Sequence, residues 1–314
     1  MNNPPITVMT CTYNGAKFLP RCYASLLSQR FEHWEWLVVD DGSTDGSAPI
    51  LASIAEADPR VRIVQNERNR GRAYSRSRAL DEASGDWIAL WDVDDFFFPD
   101  RLGAIAEAAK EGYDYWVSRA VQTTLELRLL GIQDFDHPFP GLDVRTGLHG
   151  AMAFKTSLGR EIGYQPNLTT YGGMGEDAAI VFTCALKHKG KLEERPMMVN
   201  VTGNEVVLAK SMAARDIVIQ TLERLWRDGS LPLSEQTIEA LLGRMRRRNR
   251  ALGMLKVWPG LYPKLMSWRM RGDSAVNIEL EPWRATFLRS IGEHYPARGH
   301  DVVPAVGAAL LREG

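Results

Sequence analysis

The chain has 314 residues, of which 45% are hydrophobic and 25% charged, a composition that excludes a disordered or collagen-like protein. Thirty-eight Lys and Arg against 39 Asp and Glu give a formal net charge of −1, which argues against a general affinity for nucleic acid. Three scattered cysteines exclude a disulfide framework or a zinc cluster, and reduced thiols are expected.

The first 112 residues alternate between strand and helix signals. The predicted strands are short and rich in β-branched and aromatic residues, and the predicted helices carry apolar residues at helical spacing. In chain order, the predicted strands are 6–11, 35–39, 62–64 and 87–91, and the predicted helices are 18–27, 47–57, 73–83 and 99–112. This alternation predicts a mostly parallel sheet with helices on both faces.

The remainder of the chain is less regular. Short β-like stretches are predicted at 115–117, 150–154 and 197–201, and helices at 213–226 and 234–248. We therefore divide the chain into an α/β domain at 1–205 and a mainly helical region at 206–314.

Acidic clusters follow two of the predicted strands. Asp40 and Asp41 come after the second strand, and Asp92, Asp94 and Asp95 come after the fourth. Because ligands of open parallel sheets bind beyond the carboxyl ends of the strands, these acids are expected at one rim. Crowded carboxylates favour a bound cation, and oxygen ligands suit Mg²⁺ or Mn²⁺. A solvated acidic turn is the alternative.

Three other features suit a nucleotide ligand. Asp41 is placed to accept a hydrogen bond from a nucleobase, and Tyr13 offers an aromatic face for stacking. Arginines at 70, 72, 76 and 78 would offset the charge of a diphosphate, or they form a solvated helix face. We favour the first interpretation for Arg76.

A glycine-rich run at 172–175 ends in Glu176 and Asp177, which open a predicted helix. These acids are candidates for a general base, although acids in a first helical turn are also favoured by the helix dipole. The sequence lacks the glycine-rich motifs of dinucleotide dehydrogenases, P-loop ATPases and serine hydrolases.

Taken in order, these motifs resemble family 2 of the inverting glycosyltransferases, which have a GT-A fold. The matching segments are ITVMTCTYN at 6–14, WLVVDDGSTD at 36–45, NRG at 69–71 with Arg76, GDWIALWDVDD at 85–95, PDRL at 99–102 and GED at 175–177. The chain departs from the usual family pattern at Cys11, where proline is common, and at Ser77, where asparagine is common.

The resemblance implies a role for each matching residue. Those that would bind the nucleotide or the donor sugar are Thr12, Tyr13, Asn14, Asp41, Arg76, Asp92 and Val93. Asp94 would ligate Mn²⁺ or Mg²⁺, and Asp177 would be the catalytic base, with Glu176 as the next candidate.

The implied reaction moves one sugar from a nucleoside-diphosphate sugar, most commonly a UDP-sugar, to a hydroxyl group. The acceptor would be a saccharide or a lipid-linked molecule, in the synthesis of a cell-surface polysaccharide or glycoconjugate. The alternatives are a non-catalytic nucleotide-sugar-binding protein and a sugar nucleotidylyltransferase. Asp94 and Asp177 argue against the first, and the lack of a glycine-rich phosphate loop at 10–16 argues against the second. No Gln-x-x-Arg-Trp motif of processive synthases follows residue 205, which favours transfer of a single sugar.

We expect a cytoplasmic protein, because the chain has neither a run of ~20 apolar residues nor the start of a signal peptide. Segment 244–272 contains nine basic residues and no acid, with Trp258, Tyr262 and Trp268 among them. Such a mixture suits a peripheral contact with an anionic membrane, on the inner face of the cell membrane. A basic helix packed on the catalytic domain or on a partner is the alternative, and nucleic acid ranks below both.

Replacement of Arg246, Arg247 and Arg248 with Gln should reduce sedimentation of the protein with anionic liposomes. Each basic residue near such a surface contributes ~1 kcal/mol, so the triple change should be easy to measure. Wild-type protein that does not bind anionic liposomes at low salt would refute the membrane contact.

Overall fold

A computed structural model describes residues 5–124, 129–133, 135, 145–164, 177–202, 219–220, 222–229, 231, 233–243 and 246. Glu176 and segment 244–272, apart from Arg246, lie outside these described residues. The membrane contact predicted for that segment therefore stays a prediction.

The described residues form an α/β structure around one nine-stranded sheet. Its strands are β1 (Ile6–Thr12), β2 (Trp34–Asp40), β3 (Val61–Gln65), β4 (Trp87–Leu90), β5 (Phe96–Phe97), β6 (Tyr115–Thr124), β7 (Leu129–Gln133), β8 (Met152–Lys155) and β9 (Gly190–Thr202). The helices are α1 (Leu19–Leu27), α2 (Ser47–Ala57), α3 (Arg72–Glu82), α4 (Arg101–Lys110), α5 (Thr156–Ile162) and α6 (Ala178–Lys187). The strand order is β3-β2-β1-β4-β8-β6-β9-β5, and β7 pairs with β6.

The first half of the sheet confirms the predicted pattern. All eight elements predicted in the first 112 residues are present, and their ends differ from the prediction by at most two residues. Strands β1 to β4 pair in parallel, as expected for strands joined through helices.

The second half of the sheet mixes strand directions. Strand β8 is antiparallel to both of its neighbours, whereas β6 and β9 are parallel. Strand β5, which the sequence analysis missed, follows β4 too closely for a crossover helix to intervene, and it pairs antiparallel with β9. Helix α5 and strand β7 were also not predicted.

The central strands are buried on both faces, which explains their nearly continuous apolar sequences. Two of their polar side chains, Trp36 and Thr10, are hydrogen-bonded within the sheet. The fully buried Trp36 donates from Nε1 to Thr10 Oγ1 at 2.9 Å, and that hydroxyl donates to the carbonyl of Trp91 at 2.7 Å. This link joins the three strands that carry the acidic clusters and the first loop.

Helix α6 packs on two hydrophobic clusters. Its residues Ile180 and Cys184 belong to the main core, and Ala178 and Phe182 belong to a second cluster. The other members of the second cluster are Ile219, Leu222, Leu225, Leu231, Ile238, Leu241 and Leu242. The described residues 222–227 and 235–243 are helical, in agreement with the predicted helices there.

The division of the chain at residue 205 stays a prediction. In the part of the chain that the structure describes, no helix has the length and apolar character needed to span a membrane.

Leu37→Ala should lower the free energy of unfolding by about 2–5 kcal/mol, since Leu37 is fully buried in the central strand β2. Gly103→Ala on α4 is the control, because a Cβ there would meet no atom within 4 Å. That substitution should raise stability by up to ~1 kcal/mol. Both changes are measured by urea denaturation, and an unchanged midpoint for Leu37→Ala would contradict the placement of β2 in the core.

Candidate functional site

A cleft of about 840 Å³ opens at the carboxyl ends of β1, β2 and β4. The parallel pairing of these strands brings their ends to one edge of the sheet, as expected for a ligand site in an open α/β sheet. Eight of the residues assigned from the sequence line this cleft: Thr12, Tyr13, Asn14, Asp41, Arg76, Asp92, Val93 and Asp94.

The loop after β1 is held by the loop after β2. The backbone N–H groups of residues 14–16 donate to Ser43 Oγ at 2.9 Å, Ser47 Oγ at 3.1 Å and Asp45 Oδ2 at 3.0 Å. Asn14 has a φ of +53°, a left-handed conformation that asparagine tolerates better than most residues. Ser43, Asp45 and Ser47 therefore fix this wall of the cleft.

The hydroxyl of Thr12 is buried at this wall. The side chain is 3% exposed, and its Oγ1 has no hydrogen-bond partner among the described residues. A Cβ on Gly15 would lie 2.2 Å from that oxygen, so a glycine at position 15 keeps the space around it. A ligand that satisfies this hydroxyl would remove the penalty of leaving it unpaired.

The buried Asp41 carboxylate accepts three hydrogen bonds. Its Oδ1 accepts from Asn66 Nδ2 at 2.7 Å and from the backbone N–H of Arg70 at 2.9 Å. Its Oδ2 accepts from the backbone N–H of Gly71, which has a φ of +89°, at 2.8 Å. Because a carboxylate has about four acceptor positions, Asp41 can anchor the Arg70 segment and still accept one bond from a ligand.

Asn66 and Arg78 support Asp41, a role that the sequence analysis missed. Arg78 Nη1 donates to Asn66 Oδ1 at 2.6 Å and to the carbonyl of Gln65 at 2.8 Å. Arg78 is therefore committed to this network, whereas the arginines at 70, 72 and 76 line the cleft. The position of Asn66 just after a strand end was the available sequence signal.

Arg76 and Asp92 form an ion pair at the cleft. Arg76 Nη2 lies 3.3 Å from Asp92 Oδ1, and the two side chains are 6% and 37% exposed. The guanidinium also lies over the ring of Tyr164, 5.6 Å from its centroid. The pair thus joins a buried cation on the inner face of α3 to a carboxylate that is open to the cleft.

The neighbouring acids Asp94 and Asp95 have different environments. Asp95 is buried and accepts hydrogen bonds from Asn200 Nδ2 at 3.1 Å and from the backbone N–H of Val201 at 2.9 Å, so it ties its loop to β9. Burial and repulsion from the adjacent acids raise the pKa of Asp95 well above its usual value. Asp94, by contrast, is exposed at the cleft.

Asp94 lies close to the negative charge of Asp92, which a bound cation would offset. Although its side chain is exposed, the walls of the cleft partly desolvate it, and this effect with repulsion from Asp92 raises the pKa of Asp94. The described residues contain no cluster of three or more His, Cys, Asp or Glu side chains that could hold a metal alone. Mg²⁺, however, usually takes one or two carboxylates and completes its shell with water and substrate phosphates, and this donor set fits it.

The predicted base, Asp177, occupies the N-cap position of α6 and is partly buried. It is not among the described residues that line the cleft. Residues 165–176, which include Glu176, lie outside the described part, so both assignments stay predictions.

Two distant segments reach the site without a local sequence signal. Asn200 of β9 lines the cleft, and the 3₁₀ turn His149–Ala151 lies directly behind Asp92. The pairing of β8 and β9 with β6 brings both segments to the site. No local motif in the sequence predicts this pairing.

Comparison with known sequences finds a family model that matches the first part of the chain. Residues 7–144 match the model described as glycosyl transferase family 2. TuaG of Bacillus subtilis, named for teichuronic acid biosynthesis, is 38% identical over 99 residues, which are 32% of this chain and 39% of TuaG. The succinoglycan biosynthesis protein ExoO of Rhizobium meliloti is 40% identical over 106 residues, which are 34% of this chain and 30% of ExoO. The chain therefore spans less than half of the length of these relatives.

Comparison with solved structures identifies the fold. TarS of S. aureus has a TM-score of 0.58 at 16% identity, with 95% of this chain and 50% of that chain covered. The mannosyltransferase PcManGT of Pyrobaculum calidifontis, in complex with GDP-Man and Mn²⁺, has a TM-score of 0.55 at 19% identity, with 100% and 86% covered. The expected GT-A fold is confirmed.

Asp41→Ala should weaken binding of a nucleoside diphosphate by about 1–3 kcal/mol, because the ligand loses an acceptor and the Arg70 segment loses its anchor. Asp58→Ala is the matched control. Asp58 is also buried and accepts from Tyr23 Oη at 3.1 Å and Arg60 Nη2 at 2.7 Å, but it lies at the end of α2, away from the cleft. Calorimetry that gives equal affinities for the Asp41 variant and the wild type would refute the assignment.

Proposed function

Because residues 7–144 match the glycosyl transferase family 2 model, we propose that the protein moves one sugar from a nucleoside-diphosphate sugar to a hydroxyl acceptor. The acceptor is a saccharide or a lipid-linked molecule, and the product is part of a polysaccharide or glycoconjugate. The observation that carries this proposal is that eight residues assigned from the sequence, which come from four separate segments of the chain, line one cleft.

The nucleotide end of the donor occupies the part of the cleft formed by the loops after β1 and β2. Tyr13, whose side chain is 48% exposed, offers its ring to the base, and the Thr12 hydroxyl and Asp41 supply hydrogen bonds. Solved structures of TarS contain UDP and UDP-GlcNAc, and that of PcManGT contains GDP-Man. These neighbours support a nucleotide-sugar donor, and we favour a UDP-sugar.

The diphosphate lies between the arginine segment and Asp94. Arg70 and Arg72 at the rim, with Arg76 behind them, offset its negative charge. Asp94 would hold Mn²⁺ or Mg²⁺ at the diphosphate, and Asp92 would bind the donor. When bound, this cation supplies positive charge that offsets the charge developing on the leaving nucleoside diphosphate.

The reaction is a single displacement at the anomeric carbon. The acceptor oxygen forms a bond to that carbon while the bond from the carbon to the diphosphate oxygen breaks, so the configuration is inverted. Asp177 accepts the proton of the acceptor hydroxyl, and the nucleoside diphosphate leaves with the electron pair.

Two alternatives use the same cleft. A non-catalytic nucleotide-sugar-binding protein would bind the donor without forming a glycosidic product. A sugar nucleotidylyltransferase would form a nucleotide sugar from a sugar phosphate, and the family match disfavours it. A product assay distinguishes all three.

Asp94→Asn and Asp177→Asn should both abolish most of the turnover but differ in binding. Asp94→Asn should weaken metal-dependent donor binding, since a neutral amide oxygen is a poorer ligand for a hard cation. Asp177→Asn should leave donor binding nearly intact and lower the transfer rate by ~10²–10⁴-fold, since the base acts only when the acceptor hydroxyl loses its proton. A donor selected by a thermal-shift screen with and without Mn²⁺ serves for calorimetry and for the product assay.

Asp100→Asn is the control for lost charge, because Asp100 is an exposed acid that pairs with Arg30 next to the same loop. It should leave binding and turnover unchanged. Wild-type donor and Mn²⁺ binding by Asp94→Asn would refute the metal assignment, and near-wild-type transfer by Asp177→Asn would refute the base and favour Glu176. A wild-type protein that binds a donor but forms no glycoside with a panel of acceptors would favour the non-catalytic alternative.

A further inference from the structure

The turn His149–Ala151 approaches the Asp92 carboxylate more closely than any side chain at position 150 would permit. A Cβ on Gly150 would lie 2.7 Å from Asp92 Oδ2 and 2.9 Å from Met198 Cε. Gly150 is not among the glycines with positive φ, so its backbone conformation does not require glycine. The requirement at this position is space beside Asp92.

Arg101 holds the turn against the strand that leads to Asp92. The buried guanidinium donates from Nη2 to the carbonyls of Gly150 and Met152, each at 3.1 Å, and from Nη1 to the carbonyl of Leu90 at 2.7 Å. Leu90 ends β4, two residues before Asp92. Burial lowers the pKa of Arg101 to about 9, so the side chain remains protonated at neutral pH.

The other side of Asp92 is fixed through Tyr164. His149 Nε2 and Tyr164 Oη are 2.8 Å apart, and the ring of Tyr164 lies under the guanidinium of Arg76. Arg76 in turn pairs with Asp92 Oδ1. Burial and the positive charges of Arg76 and Arg72 hold the pKa of His149 well below its usual value, so its imidazole is neutral.

We propose that Gly150 is a positioning residue for Asp92. Because Gly150 has no side chain, Asp92 Oδ2 occupies the space beside it while Asp92 Oδ1 pairs with Arg76. This arrangement sets the direction in which the Asp92 carboxylate faces the donor. The inference rests on the proposed function, because the consequence concerns donor binding. The turn lies outside the matched segment 7–144, so the family match does not assign it.

A side chain at position 150 should displace Asp92 rather than unfold the protein. The two atoms that the new Cβ would meet are the ends of flexible side chains, the Asp92 carboxylate and the Met198 methyl group. These ends can move by a few tenths of an ångström, whereas the carbonyls of the turn are held by Arg101. The expected effect is therefore on the ligand and not on stability.

Gly150→Ala should weaken binding of UDP-N-acetylglucosamine or GDP-mannose with Mn²⁺ by about ten-fold to a hundred-fold, since a misplaced carboxylate loses a charged hydrogen bond. The melting temperature should change little. Gly103→Ala is the matched control, because it adds the same methyl group in open space on α4 and should leave the affinity unchanged. Wild-type affinity in Gly150→Ala would overturn the proposal.

The route through Asp92 is tested by a double-mutant cycle. In an Asp92→Ala background there is no carboxylate to displace, so Gly150→Ala should cause no further loss of affinity for the same nucleotide sugar with Mn²⁺. An equal loss in both backgrounds would show that Gly150 does not act through Asp92.

A crystal structure of Gly150→Ala tests the geometry without any ligand. It should show the Asp92 carboxylate shifted away from residue 150, and an unmoved carboxylate would overturn the proposal. If the wild type binds no nucleotide sugar, the proposed function fails, and the crystal structure still decides whether Gly150 positions Asp92.

Discussion

The parallel register of β1, β2 and β4 is the constraint on which the site depends. Thr12 pairs with Asp40 and Met9 pairs with Leu90, so the residues after these strands emerge side by side. Burial on both faces makes a slip of register costly, because it would move the packed side chains out of place. Hydrogen bonds continue the register past the strands, from the N–H of Asp41 to the carbonyl of Thr12 at 2.8 Å.

The acids at this edge are stable together because each meets a different partner. Asp41 receives backbone N–H groups, Asp92 receives a guanidinium, and Asp95 receives an amide and an N–H from β9. Asp94 is exposed at the cleft, and the negative charge of Asp92 lies close to it. In the proposed function, this distribution divides the cleft into a nucleotide end at Asp41 and a diphosphate end at Asp94.

The second half of the sheet supplies the back of the site. Strand β9 brings Asn200 to the cleft and Met198 to the side of Gly150, and β8 continues from the turn behind Asp92. Arg101, at the start of α4, joins that turn to β4 from inside the protein. A buried arginine that donates to backbone carbonyls thus fixes a surface carboxylate through main-chain atoms, and its own side chain never reaches the cleft.

The sequence by itself determined the four strands and four helices of the first 112 residues and the grouping of Asp41, Asp92 and Asp94 at one edge. Hydrophobic periodicity and strand-end position are local properties, so no distant contact is needed to read them. Only the tertiary structure decided that Asp95 binds β9, that Asn66 supports Asp41 and that Gly150 lies against Asp92. These roles arise from contacts between residues far apart in the chain, and strand pairing and burial, rather than residue type, select which polar groups meet.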